Sequence, residues 1–326
     1  MPKLESPKPV VVGVVLPCYK VVGQILSTLS RIGPDVHRIY VVDDCCPHGS
    51  AELVRGNCVD PRVTILRNET NLGVGGAVIQ GYRRALADGC DVVVKVDGDG
   101  QMDPSLIPSF VWPISEGLAD YTKGNRFFEL EGLEAMPKIR LFGNAALSFI
   151  TKLSTGYWNV FDPTNGYTAI HRDVLARLPL DKVSQRYFFE SDMLFRLNIL
   201  RAVVLDIPMR ASYGNEQSSL RVSRVLPEFL AKHLRNMVKR IFYNYYLRDM
   251  TMVSIELPLG LLLVLGGGWF GLWAWFNSIS SGALSSAGTV MLAALPVMLG
   301  VQLLLAALSQ DIAAVPQRPF QNRVRA

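Results

Sequence analysis

The stretch Val92-Val93-Val94-Lys95-Val96-Asp97-Gly98-Asp99-Gly100-Gln101 decides how this chain is read. Its β-branched run suits a strand buried on both faces. Two carboxylates one residue apart close it, and at a strand end such a pair can hold one hard cation through oxygen. Mg²⁺ or Mn²⁺ suits them, bridging to a diphosphate. Gly98 and Gly100 let the backbone bend close to a ligand. Taken alone, Asp-Gly-Asp-Gly also suits an ordinary turn.

Upstream, the pattern repeats. Residues 10–16 form another β-branched run, stopped by Pro17, and Val21–Ile32 reads as a helix. Arg38–Val42 is a second strand ending in Asp43-Asp44, Val63–Leu66 is a third, and a glycine-punctuated helix covers Leu72–Ala87. Strands alternating with helices predict an α/β fold with a mainly parallel sheet. Ligands of such sheets bind beyond the carboxyl ends of the strands, where Pro17–Tyr19, Asp43-Asp44, Arg67-Asn68 and Asp97–Asp99 fall. Downstream, strand-like pieces occur at 120–124, 166–171 and 203–208, and helical ones at 139–153 and 190–201.

The composition changes near residue 226. Leu226, Phe229, Leu230, Leu234, Met237, Val238, Ile241, Phe242 and Tyr245 recur at helical spacing, with Lys232, Arg235, Lys239 and Arg240 on another face. This amphipathic helix leads into Leu257–Phe276, which has no charged residue; Val290–Leu308 is a second such stretch. At ~1.5 Å per residue each matches the ~30 Å hydrocarbon core of a bilayer. The 326 residues therefore divide into an N-terminal α/β domain (1–225), an amphipathic juxtamembrane helix (226–250), a transmembrane helix hairpin (251–311) and a basic tail (312–326). Lys and Arg flank the pair of spans, and the linker between them has none. The positive-inside rule then puts both ends in the cytoplasm.

Net charge is +5, and the membrane flanks account for part of it, so nucleic acid is not an expected partner. Five cysteines, without a C-x-x-C pair, read as reduced cytosolic thiols. No signal-peptide core follows the N-terminal lysines and prolines, so the N-terminal domain is expected in the cytoplasm. No histidine shows metal-ligand spacing; His171 and His233 are expected at the surface.

Two further motifs have open readings. Asp43-Asp44 suits either contacts to a base or ribose or helix capping. Asn71-Leu72-Gly73-Val74-Gly75-Gly76 opens a helix and suits a glycine-rich anion site, without a dinucleotide fingerprint or a P-loop lysine.

In sequence order, Pro17-Cys18-Tyr19, Asp43-Asp44, Asn71-x-Gly73-x-Gly75, Asp97-x-Asp99-x-Gln101, Gly124-Asn125-Arg126 and Asp162-Pro163-x-Asn165-Gly166-Tyr167 resemble glycosyltransferase family 2 over residues 10–225. The match is closest to its polyprenyl-phosphate branch, whose bacterial glucosyltransferases also carry two trailing spans. The resemblance implies a GT-A fold, a Rossmann-like nucleotide-diphospho-sugar transferase domain, and an inverting transfer. By the same resemblance Asp97, Asp99 and Gln101 hold Mg²⁺ or Mn²⁺. Pro17, Tyr19, Asp43, Asp44, Gly75 and Asp97 bind the nucleotide-sugar. Arg126, Arg140, Asn144 and Arg221 face the acceptor phosphate, with Asn144 where the family has Ser and Arg221 in place of a lysine. Asp99, Arg126 and Asp192 are the implied catalytic residues.

The expected activity is transfer of a hexose from a UDP- or GDP-linked sugar to polyprenyl phosphate, by an integral protein of the cell's inner membrane with its catalytic domain in the cytoplasm. Homo-oligomers are compatible with it. One alternative is a sugar or glycolipid hydroxyl acceptor with Asp192 as general base; a hydroxyl needs a base, whereas an ionised phosphate does not. A membrane-tethered sugar-binding module is the non-enzymatic alternative.

Overall fold

The computed structural model describes residues 10–128, 138–210 and 222–324. The first half alternates β1 (Val12–Cys18), α1 (Ile25–Ser30), β2 (Arg38–Asp43), α2 (Ser50–Asn57), β3 (Val63–Arg67), α3 (Val74–Ala87) and β4 (Val92–Lys95). Then come α4 (Ile107–Ser115), β5 (Tyr121–Asn125), α5 (Lys138–Thr155), β6 (Thr168–His171), α6 (Arg172–Leu175), α7 (Phe189–Ile199) and β7 (Val204–Pro208). The strands form one sheet in the order β3-β2-β1-β4-β6-β5-β7. All pairs are parallel except those of β6, which runs antiparallel to both β4 and β5.

β1 continues through Pro17 instead of stopping before it. Pro17 pairs with Val42 of β2, while pairing with β4 ends at Val15 opposite Lys95. The amide that proline lacks therefore falls where the β4 neighbour has already stopped. α2 and α4 were not evident from the sequence pattern. α2 is short, and α4 begins Ile-Pro and carries Pro113 inside it. The core joins Val14, Leu16, Ile39, Val41, Val92 and Val94 of the sheet to Ile25 and Leu29 of α1 and Phe110 of α4.

The remaining helices are α8 (Val222–Phe242), α9 (Val253–Ser281), α10 (Ala287–Ala313) and α11 (Phe320–Val324), with a π-helical turn at Tyr243–Arg248. Helices α9 and α10 are both long and apolar enough to cross a membrane. They absorb most of the expected 277–289 linker, leaving 282–286 between them.

The chain forms two compact units, divided at Met237/Val238 and again at Val315/Pro316. The second unit, Val238–Val315, holds the end of α8, the π-helical turn and the hairpin of α9 and α10. There Gly260 and Gly300 permit backbone contact: a Cβ on either would lie 3.0 or 2.8 Å from the other's carbonyl oxygen. Arg240 holds Asp311 through two bonds of 2.6 and 3.0 Å, and the Tyr245 hydroxyl donates to the same carboxylate at 2.5 Å.

The chain from Pro316 onward belongs to the first unit rather than forming a tail of its own. The reason is Asp120, a fully buried carboxylate that needs donors. The amides of Phe320 and Gln321 supply two, at 2.7 and 3.0 Å, and the amide of Val203 a third at 2.7 Å. The Gln321 side chain also donates to the carbonyls of Ile114 and Ala119.

Candidate active site

The carboxyl ends of β1, β2 and β4 carry the expected residues. Asp97 follows β4, and its amide donates to the Met102 sulfur. Asp99 Oδ1 accepts the Gln101 amide at 3.0 Å, closing a tight turn in which Gly100 has a φ of +77°. Asp97 Oδ1 is buried against the Lys95 ammonium, 2.8 Å away. The same ammonium donates to the Gly166 carbonyl at 3.0 Å and lies 3.5 Å from Glu190 Oε1.

Lys95 is 1% exposed, whereas the side chains of Asp97 and Glu190 keep 28% and 15%. The cation is enclosed and its two acids look outward. Burial pulls the Lys95 ammonium down, but Asp97 and Glu190 outweigh this and hold it above the usual lysine range. Gly166 has to be glycine here: a Cβ would sit 2.5 Å from Lys95 Nζ and 2.7 Å from Asp97 Oδ2.

A second buried lysine stands on β5. Lys123 donates to the Asn165 carbonyl, so two neighbouring carbonyls in the lead-in to β6 are held by ammonium groups from the flanking strands. Burial lowers Lys123 to about 8, partly offset by Glu190 and Asp162. Asp162, in the same lead-in, accepts two bonds from Arg126, at 2.7 and 3.1 Å. This bidentate fork fixes the plane of the guanidinium. The Arg126 side chain remains one-third exposed.

Other expected site residues are engaged by the protein itself. Asp43 is buried and accepts the amides of Cys46 (2.7 Å) and Ala51 (2.9 Å), pinning the start of α2. Asp44 is also buried, accepting Asn68 Nδ2 and the amides of Leu72 and Gly73 at 2.7–2.9 Å. The two carboxylates tie down the loops that lead into α2 and α3.

Gly75 corrects the anion-site expectation. A Cβ there would lie 2.6 Å from the Ser184 carbonyl oxygen and 2.7 Å from Phe189, and the Gly76 amide donates to the Gln185 carbonyl at 3.0 Å. The glycines at the start of α3 make room for residues 184–189, not for a phosphate. Pro17 lies within β1. Tyr19 is exposed beside the cleft, with the Lys20 ammonium 5.3 Å from its ring centre.

Asp192 is a second correction. It is fully buried. Its carboxylate accepts the Ser184 amide (2.8 Å), Asn236 Nδ2 (3.1 Å) and Arg196 Nε and a terminal nitrogen (3.2 and 3.1 Å). A carboxylate so enclosed is not placed to take a proton from a substrate. At ~100° per residue, acids two apart on a helix diverge; the one that reaches the strand-end cluster is Glu190. The clue in the sequence was Lys95, a lone cation in an otherwise apolar strand.

His171 and His233 are also buried, not at the surface. His171 Nδ1 caps α6 by accepting the Asp173 amide, and His233 shares a 2.7 Å bond with Ser154 beneath Phe188. Arg140 and Asn144 lie one turn apart on α5, but their side chains fall outside the described residues, as does Arg221.

With this geometry in view, the chain can be placed. Residues 13–178 match the model of Glycosyl transferase family 2, so the chain belongs to that family and is a glycosyltransferase with a GT-A fold. It is 31% identical over 199 residues to an undecaprenyl-phosphate mannosyltransferase of Micrococcus luteus, covering 60% of this chain and 81% of that protein. It is 27% identical over 255 residues to a UDP-N-acetylglucosamine–dolichyl-phosphate N-acetylglucosaminyltransferase of Methanococcus voltae, covering 73% and 96%. Among solved structures, glucosyl-3-phosphoglycerate synthase from Mycobacterium tuberculosis, crystallised with Mn²⁺, UDP and phosphoglyceric acid, superposes with a TM-score of 0.51 at 19% identity. It covers 71% of this chain and 78% of that one.

Proposed function

We propose that this enzyme transfers a hexosyl group from a UDP- or GDP-linked sugar to a polyprenyl phosphate, with inversion, at the cytoplasmic face of the membrane. The two relatives named above act on undecaprenyl and dolichyl phosphates, which supports the acceptor class. The observation that carries the choice of a phosphate over a hydroxyl is the state of the α7 acids. Glu190 faces the Lys95 ammonium and Asp192 is enclosed with Arg196. Asp192 is thereby closed to a substrate hydroxyl and Glu190 is engaged by an ammonium, and a phosphate oxygen needs no base. In the transfer, an acceptor oxygen forms the new bond to the anomeric carbon. The bond to the donor diphosphate breaks, and its electron pair leaves with the nucleoside diphosphate.

Asp97, Asp99 and Gln101 are the residues that would hold a divalent cation. Among the described residues no three His, Cys, Asp or Glu side chains converge, so the protein offers two carboxylates. Two carboxylates and an amide oxygen are hard oxygen donors, a set that fits Mg²⁺ or Mn²⁺. When bound, the cation would neutralise charge on the departing diphosphate. Arg126, held planar by Asp162, is suited to bidentate contact with the acceptor phosphate, as are Arg140 and Arg221; Asn144 lies beside Arg140. Tyr19 and Pro17 are proposed to border the nucleoside. Leu226, Leu230 and Leu234 form an exposed apolar stripe on α8, as an interfacial helix requires.

Purified protein given a panel of UDP- and GDP-sugars and a short polyprenyl phosphate should yield a hexosyl-phosphoryl lipid by mass spectrometry, and none in chelator. Product only with hydroxyl acceptors would overturn the proposal. For topology, a cysteine engineered within Ser280–Ser286 should react with an impermeant reagent applied from outside. Labelling only after the membrane is opened would refute cytoplasmic ends.

A further inference from the structure

Asp97 and Glu190 come from distant parts of the chain, one at the end of β4 and the other in the first turn of α7. A single enclosed ammonium stands between them, 2.8 Å from Asp97 and 3.5 Å from Glu190. Its third contact is the Gly166 carbonyl, in the lead-in to β6. That lead-in also carries Asp162, the partner of Arg126. Lys95 thus touches three segments at once: the end of β4, the first turn of α7 and the lead-in to β6.

The surroundings fit a strut better than a simple core residue. Three apolar residues precede Lys95 in β4, so a methionine there would pack without needing partners. Instead, a neighbouring position is kept as glycine to admit both the ammonium and the Asp97 carboxylate. Lys123, on the other strand flanking β6, holds the adjacent carbonyl. The lead-in to β6 is therefore pinned from both sides.

We propose that Lys95 is a positioning residue: it fixes the donor-side carboxylate Asp97 relative to Glu190, and through the pinned lead-in relative to the Asp162–Arg126 fork. Glu190 serves as the far anchor of the strut rather than as a proton acceptor. This rests on the transferase function proposed above, because the distance being fixed is that between the leaving diphosphate and the attacking phosphate. A misplacement on the scale of 1 Å costs on the order of 10²-fold in rate.

The test compares Lys95→Met, Lys95→Arg, Glu190→Gln and Lys95→Met/Glu190→Gln in the full-length detergent-solubilised protein. Binding of Mn²⁺ in the presence of UDP or GDP is followed by electron paramagnetic resonance, alongside kcat and KM for both substrates. Lys95→Met is expected to lose roughly 10²-fold in kcat with KM changed far less, and to alter the Mn²⁺ spectrum. The double variant should lose little more than either single one, because both cut the same strut. Lys95→Arg should recover part of the loss.

If Lys95→Met does not fold, Glu190→Gln decides, since it leaves Lys95 paired with Asp97; it too must lower kcat and move the spectrum. Folded Lys95→Met or Glu190→Gln with unchanged kcat and Mn²⁺ spectrum would overturn the inference, as would fully additive losses. Wild-type protein that binds no Mn²⁺ with either nucleotide would instead sink the metal-dependent transferase reading itself.

Discussion

Two of the charge clusters taken out of water in this protein, one in each compact unit, are built differently. In the second unit, Asp311 receives two bonds from Arg240 and one from Tyr245, and acid and base are both buried. In the catalytic unit the enclosed member is the cation, Lys95, while its acids keep an open side. A closed pair holds two helices together. An open cluster leaves carboxylate oxygens to meet something that is not protein. Burial alone does not mark a functional site; it matters which partner is left facing out.

The largest effect is expected from breaking the closed pair. Arg240→Met leaves a buried carboxylate without its cation, which typically costs about 3–5 kcal/mol. Thermal melts in detergent should show it. Arg240→Met/Asp311→Leu should recover most of the loss, since buried pairs exchange for apolar residues at little net cost. A double variant as unstable as the single one would mean that the pair does more than hold the hairpin.

The open cluster should behave in the opposite way. Asp99→Ala removes a half-buried carboxylate proposed to hold the cation, so the fold should survive while kcat drops about 10²–10³-fold, the usual loss for one electrostatic stabiliser. Full activity in chelator, or in this variant, would remove the cation from the mechanism.

Asp192 and Arg126 make a smaller and more discriminating pair. Asp192→Asn should lower stability by disturbing a buried, four-donor carboxylate, while kcat per folded molecule changes little. Arg126→Ala should raise the lipid-phosphate requirement about tenfold or more, as loss of a charged hydrogen bond of ~1.5–3 kcal/mol implies, and leave the nucleotide-sugar KM near normal. Titrating both substrates against each variant separates these outcomes. A well-folded but inactive Asp192→Asn beside a nearly normal Arg126→Ala would point to a hydroxyl acceptor.

Much of this was legible in the sequence because it depends on local order. A β-branched run followed by Asp97-x-Asp99 states both strand and site, and β1, β2, β3 and β4 lie within a residue or two of where the pattern puts them. The motifs fell short where a side chain's partner lies far along the chain. Nothing local shows that Gly75 faces residues 184–189, that Asp120 waits for amides 200 residues away, or that Glu190 rather than Asp192 turns toward β4. Helical phase separates those two acids, but only the packed helix says which phase faces the cleft.

The smallest net effect concerns pH, and it arises within the catalytic unit. Burial lowers His233 to about 4, against 6.5 in the unfolded chain. Between these values the unfolded state binds the extra proton, so stability rises with pH. Burial raises Asp206 to about 6, from 3.8. There the folded state binds the extra proton, so stability falls as pH rises from about 4 to about 6. Each shift corresponds to roughly 3 kcal/mol, and the two oppose each other over almost the same range. The wild-type melting temperature is therefore expected to be nearly flat between pH 4.5 and 6 as far as these two groups decide it. His233→Asn, whose amide can still bond Ser154, should expose the Asp206 slope and melt lower at pH 6 than at pH 4.5. Asp206→Asn should expose the His233 slope and do the reverse. If both variants titrate with the same sign, the opposition is wrong, and at least one of these buried groups is better solvated than its surroundings indicate.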